Sequence, residues 1–150
     1  MRVVIGSDHA GVDLKAHLID KLTSCGIQVL DCGAFSSESV DYPDIAEVAA
    51  RQVLEMKCPG ILICGSGIGI AMAANKIPGI RAALCMTPEM AKLSREHNDA
   101  NIVTLGARLL DAGLAEEIVK TFLYTEFQAG RHQIRIEKIH QLEQKCRERS

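Results

Sequence analysis

Apolar positions along the chain fall into two alternating rhythms. Short continuous apolar runs read as strands: RVVIGSD (2–8), IQVLD (27–31), GILICG (60–65), IRAALC (80–85) and NIVTLG (101–106). Between them, apolar residues recur at helical spacing. Residues 11–22 place Val12, Leu14, Leu18, Ile19 and Leu22 on one side, with Gly26 as the stop. A helix from Pro43 and Asp44 to about Met56 follows the polar loop 32–42, since proline suits a first helical turn. Further helices are predicted from about Gly67 to Asn75, over 87–97 with Thr87 as N-cap and Pro88 first, and over 112–127. A last charged helix runs from beyond Gly130 to about Arg149.

Five strand-then-helix units with short connections predict an α/β fold: a Rossmann-like three-layer sandwich, its five-stranded parallel sheet covered by helices on both faces. The all-apolar run 60–65 suits a strand buried on both sides. In such sheets ligands bind beyond the carboxyl ends of the strands. Asp8-His9 after the first strand and Cys64 to Gly69 after the third occupy that rim. The last helix carries an incomplete apolar stripe of Ile134, Ile136, Ile139 and Leu142. A stripe on an extended terminal arm needs burial, on its own domain or a second subunit, and the expectation favours a partner subunit.

Length and composition narrow the classes. The chain has 150 residues, 47% hydrophobic, enough for one compact domain over 1–150. A net charge of −2 and a pI near 6.2 give no electrostatic case for nucleic acid or an anionic membrane. The apolar runs are far shorter than a bilayer span, and the first residues enter a strand directly, so the expected compartment is the cytoplasm. The six cysteines have no C-x-x-C pair and no accompanying histidine cluster, which argues against zinc. Most read as small buried apolar residues.

The segment ILICGSGIGIAMAANK (61–76) poses the chemical question. Its Gly65-Ser66-Gly67-Ile68-Gly69 is one residue short of a dinucleotide fingerprint, with no acidic residue about 20 positions on, and it lacks a Walker lysine. Glycines still let backbone N–H groups approach a ligand closely. Such a nest stabilises a phosphate or a developing oxyanion, and favours a thiolate at Cys64. The residues alone leave Cys64 open as a thiol base or as buried filler. His97 ends its helix at the end of the sheet opposite Cys64, so it would serve a partner's site better than its own. Arg131 and Arg135 share a helix face beside His132, as a phosphate site or a solvated basic turn.

GSDHAG (6–11), DYPD (41–44), residues 61–76, GIRAALC (79–85), SREHNDANIVTLGARLL (94–110) and GRHQIRIEKI (130–139) together resemble the ribose-5-phosphate isomerases of type B. The wider group includes the galactose- and allose-6-phosphate isomerases. The resemblance spans nearly the whole chain in order. It implies an aldose–ketose isomerase of the pentose phosphate pathway, interconverting ribose 5-phosphate and ribulose 5-phosphate through a cis-enediolate. It implies no metal, no nucleotide cofactor, and a homodimer that can pair into a dimer of dimers. On the resemblance, Cys64 is the C2 base and Gly65, Gly67, Ile68 and Gly69 hold the enediolate oxygens by backbone. Ser66 relays protons, and His97 opens the ring, from the other subunit. Asp8, Asn98 and Tyr42 lie at the sugar, while His9, Arg131 and Arg135 bind phosphate with Arg108 assisting. One branch of the family replaces the cysteine with a glutamate a few residues on; that place is Ile70 here, which cannot take a proton. The alternatives are an allose-6-phosphate or galactose-6-phosphate isomerase and, in another class, a non-catalytic nucleotide- or phosphate-sensing domain.

Overall fold

A computed structural model describes residues 1–150. Its elements, in chain order, are β1 (Arg2–Ser7), a 3₁₀ turn (His9–Gly11), α1 (Val12–Ser24), β2 (Gln28–Asp31), α2 (Tyr42–Met56) and β3 (Gly60–Cys64). There follow α3 (Ile68–Ala74), β4 (Ala82–Leu84), α4 (Pro88–Asn98), β5 (Ile102–Gly106), α5 (Ala112–Tyr124) and α6 (Arg131–Glu148). The five strands are parallel in the order β2-β1-β3-β5-β4. This is the expected class, and the order adds what periodicity cannot supply. The chain leaves β1 in one direction to form β2, then returns past it to form β3. The carboxyl ends of β1 and β3 therefore flank a switch point.

Two apolar layers cover the sheet. Leu14, Leu18 and Leu22 of α1, Ala91 of α4, and Ala115, Ile118, Val119 and Phe122 of α5 pack on Val3, Ile5, Ile61, Ile63, Val103 and Leu105. On the other face Ala46, Ala49, Ala50 and Val53 of α2, with Ile70 and Ala74 of α3, pack on Val4, Leu62, Cys64 and Ile102. Small alanines on α2 let that helix lie close to the strands. β3 and β5 are buried along their full length, as a strand covered on both faces must be.

Two boundaries and the burial of the cysteines differ from expectation. The fourth strand is only Ala82–Leu84, and each of its residues is half-buried. It is the edge strand, and its leading N–H groups go elsewhere: Arg81 N–H donates to Asn101 Oδ1 at 2.8 Å and Ala82 N–H to Asn75 Oδ1 at 2.7 Å. α5 stops at Tyr124 because Thr125 is extended, its carbonyl accepting from Arg95 Nε at 3.2 Å. The cysteines are less buried than expected. Only Cys64 and Cys85 are fully buried; Cys25 and Cys146, at the polar ends of α1 and α6, are exposed.

α6 leans on the body through few residues. His132 and Ile136 are buried, whereas Ile134 and Leu142 are about three-fifths exposed, at 60% and 61%. Glu143 reaches back to the Gly79 N–H at 3.1 Å, and His140 Nε2 accepts from the Arg81 guanidinium at 2.8 Å. No helix is long and apolar enough to cross a membrane.

Candidate functional site

Cys64 is the last residue of β3, so its side chain leaves the sheet at the switch point. It is 4% exposed, and its Cβ side belongs to the apolar layer under α2 and α3. The sulfur meets a polar group there: Gly67 N–H donates to Sγ at 3.1 Å. From there the chain enters α3 through Gly67, whose left-handed φ of +77° suits glycine. The turn is pinned from β5. Thr104 Oγ1, fully buried, donates to the Gly67 carbonyl at 2.9 Å, and a Cβ on Gly106 would lie 2.7 Å from the Ser66 carbonyl oxygen. Ser66 Oγ accepts from Ile68 N–H at 3.2 Å, and both residues face the rim, with Ile68 exposed.

Two side chains close over the glycines. A Cβ on Gly65 would meet Arg108 Nη1 at 2.9 Å, and one on Gly69 would meet the Tyr42 hydroxyl at 2.7 Å. The missing side chains at 65 and 69 are thus the space in which Arg108 and Tyr42 lie. β1 contributes the adjoining wall. Asp8 N–H donates to the Ile63 carbonyl at 3.0 Å, which ties the end of β1 to β3. The Asp8 carboxylate accepts from Ala10 N–H at 2.9 Å and is nearly buried, while His9 Nδ1 accepts from Val40 N–H at 3.2 Å. Asp8, His9, Tyr42, Cys64, Gly65, Ser66, Gly67, Ile68, Gly69 and Arg108 therefore belong to one rim.

The remaining candidates form a second group at the other end of the sheet. α4 runs back against the strands, so His97 and Asn98 finish near the start of β5. Cys64 pairs with Gly106 at the far end of that strand, roughly 13 Å away along its direction. The His97 ring stacks on His132, centroids 4.3 Å apart and planes 16° off parallel. α6 thus delivers Arg131, His132 and Arg135 to His97. His132 is nearly buried. Loss of water, then the charges of His97, Arg131 and Arg135, hold its imidazole below the ordinary value. Arg81 organises the base of this group: its guanidinium donates to the carbonyls of Asn98 at 3.0 Å and Asp99 at 2.8 Å. A cavity of about 790 Å³ opens beside it, walled by Asn98, Arg81, Ile139, Leu142 and Glu143. Cys64 does not line that cavity.

Three contributors escape the sequence reading. His132 stands between two arginines and reads as part of a solvated turn, yet it is the ring on which His97 rests. Thr104 is the one hydroxyl in an otherwise apolar strand, and that isolation is a signal. Lys15 is masked by the helical pattern of its neighbours and is buried with its ammonium on Asp31 Oδ1 at 2.7 Å.

Comparison with known proteins agrees with the fold. The family model described as Ribose/Galactose Isomerase matches residues 3–139. Ribose-5-phosphate isomerase B of Escherichia coli strain K12 is 43% identical over 145 residues, 96% of this chain and 97% of that protein. The ribose-5-phosphate isomerase B of Clostridium thermocellum superposes with a TM-score of 0.95 at 51% identity, covering 97% of this chain and 99% of that one. The Mycoplasma genitalium ribose-5-phosphate isomerase B, solved with bound ribulose-5-phosphate, superposes with a TM-score of 0.91 at 39% identity, covering 95% and 96%.

Proposed function

The chain belongs to the ribose/galactose isomerase family and is an isomerase, and we propose that it interconverts D-ribose 5-phosphate and D-ribulose 5-phosphate with Cys64 as the base. The observation that carries this reading is the Gly67 N–H on Cys64 Sγ at 3.1 Å, at the β1/β3 switch point. The amide faces the sulfur atom that must gain and give up a proton in the reaction. The proton at C2 of an aldose is weakly acidic, so the enediolate charge must be stabilised where it forms. The turn from Gly65 to Gly69 supplies backbone donors for the two enediolate oxygens, and each is worth about 3 kcal/mol in comparable sites.

The steps follow from the residues. His97 opens the ring by moving a proton between O1 and the ring oxygen. Cys64 thiolate takes the C2 proton, and the electron pair moves through C1–C2 onto O1. Ser66 carries a proton between O1 and O2, and the Cys64 thiol, its proton exchanged with solvent while the enediolate persists, protonates C1. Asp8, Asn98 and Tyr42 hold the sugar hydroxyls. His9, Arg131 and Arg135, aided by Arg108, hold the phosphate and turn its binding energy into orientation of the reacting end.

The two groups stand at opposite ends of one sheet, so a complete site requires two chains. In a homodimer, the rim carrying Cys64 faces the partner's copy of the His97 group. The exposed Ile134 and Leu142 of α6 and the adjoining cavity supply apolar surface for that interface. This arrangement, which can double into a dimer of dimers, suits a cytoplasmic enzyme of the pentose phosphate pathway.

Mixing inactive subunits tests it. A Cys64→Ala chain and a His97→Asn chain are each expected to be inactive on ring-form substrate alone. In a heterodimer, one site regains both wild-type groups and the other loses both. Random reassortment should therefore restore about a quarter of wild-type activity. No recovery on verified subunit exchange would refute the shared site. A coupled assay comparing ribose 5-phosphate with allose 6-phosphate and galactose 6-phosphate tests the substrate; a higher kcat/KM for a six-carbon sugar would reverse the assignment.

A further inference from the structure

Lys15 has no part in the chemistry above, yet its side chain is only 4% exposed. It follows Leu14 on α1 and points toward the end of β2. Its ammonium donates to Asp31 Oδ1 at 2.7 Å and to the Ala34 carbonyl at 2.5 Å, and lies 4.8 Å from the centroid of the Phe35 ring. A buried ammonium is costly unless it is paired and hydrogen-bonded, so these partners must be held around it. The same Asp31 oxygen accepts from Gly33 N–H at 2.9 Å. Ser7 N–H donates to the Gly33 carbonyl, and Ala34 N–H donates to the Ser7 carbonyl. The turn 31–35 is thereby stitched to the residue preceding Asp8 and His9.

From this turn the chain runs without helix or strand to α2. Along that run Val40 N–H donates to His9 Nδ1 at 3.2 Å. A ring nitrogen that accepts is unprotonated, so the neutral imidazole carries its proton on Nε2. We infer that Lys15 is a positioning residue for His9: by locking the turn 31–35 against Ser7, it presents Val40 N–H to Nδ1 and leaves Nε2–H as the donor to substrate. The proton placement stands on this geometry alone. Its kinetic consequence rests on the proposed role of His9 as a phosphate ligand.

Long-range ¹⁵N histidine spectra of the substrate-free, full-length protein test the placement, with the His9 signal assigned by its loss in His9→Gln. The wild type is expected to show Nδ1 as the acceptor nitrogen and Nε2 as the protonated one. Lys15→Met, which keeps the buried stem, is expected to give a mixture of tautomers and a KM for ribose 5-phosphate raised about tenfold, with kcat changed much less. Asp31→Asn keeps an acceptor for Gly33 but removes the counter-charge, and is expected to shift the spectrum in the same direction. It provides the reading if Lys15→Met does not fold. An unchanged His9 signature in a folded variant of either kind overturns the inference. A shifted signature with an unmoved KM upholds it and refutes instead the phosphate role of His9.

Discussion

Replacing Gly67 with alanine would strike the turn between Cys64 and α3 in two separable ways. With φ +77°, Gly67 adopts a backbone that disfavours any other L-residue, by about 1 kcal/mol. The added Cβ would also lie 2.7 Å from Leu84 Cδ1, 2.8 Å from the Leu105 carbonyl carbon and 3.0 Å from Gly106 N. The leucine methyl can swing aside. The β5 backbone cannot, because it pairs with Cys64 through Gly106 and bonds the Gly67 carbonyl through Thr104. Overpacking of this kind costs about 1–3 kcal/mol, so the total expected is about 2–4 kcal/mol. Relief requires the turn to move outward, and that carries the Gly67 N–H away from Cys64 Sγ. The same movement displaces the backbone donors of Gly65 to Gly69 from the enediolate oxygens, and loss of one oxyanion donor lowers kcat by about 10²–10³. Gly26→Ala is the control: its φ is +78° and nothing lies within 4 Å of the new Cβ. It should show the conformational cost alone, with unchanged activity. Urea denaturation and a coupled ribose 5-phosphate assay measure both quantities. A Gly67→Ala protein no less stable than Gly26→Ala, or with kcat near wild type, would refute the reasoning.

Two further predictions concern titration and reactivity. His132 is held below its ordinary value of 6.5 by loss of water, then by His97, Arg131 and Arg135. As pH falls below 6.5, the unfolded chain takes up this proton before the folded one does. The position therefore leaves stability unaffected above that pH and lowers it progressively below. His132→Gln should flatten the fall in the urea midpoint between about pH 6.5 and 5, and retention of the full slope would contradict the assignment. Burial pushes the Cys85 thiol up to about 11, opposed in part by the Ser94 side chain. Iodoacetamide at about pH 8 should label the exposed Cys25 in the native protein and spare Cys85. Labelling of Cys85 as fast as Cys25, read by mass spectrometry, would refute its burial.

Much of this molecule was legible in its sequence because the governing contacts are local. Apolar runs mark β3 and β5, Pro43 and Pro88 mark helix starts, and Thr87 caps α4 by accepting from Met90 N–H at 3.2 Å. Chain direction alone put His97 at the opposite end of the sheet from Cys64. What escaped depends on residues far apart in the chain. The order β2-β1-β3-β5-β4 leaves no trace in periodicity. The shortening of β4 requires Asn75 and Asn101 to take its N–H groups. The burial of His132 requires the stack on His97, and that of Lys15 requires a turn sixteen residues further on. Cys64 was ambiguous for the same reason. Its sequence is that of a buried strand end, and only the turn folding back from Gly67 gives the sulfur a polar neighbour.

Hydrogen exchange at C2 tests the sulfur most directly. In deuterated buffer, the wild type should wash the C2 proton of ribose 5-phosphate into solvent while forming ribulose 5-phosphate. The Cys64→Ala protein should bind the same sugar phosphate with Kd within about threefold of wild type by calorimetry, and show no exchange by proton NMR. Exchange at an undiminished rate in that variant would remove the thiol from the reaction.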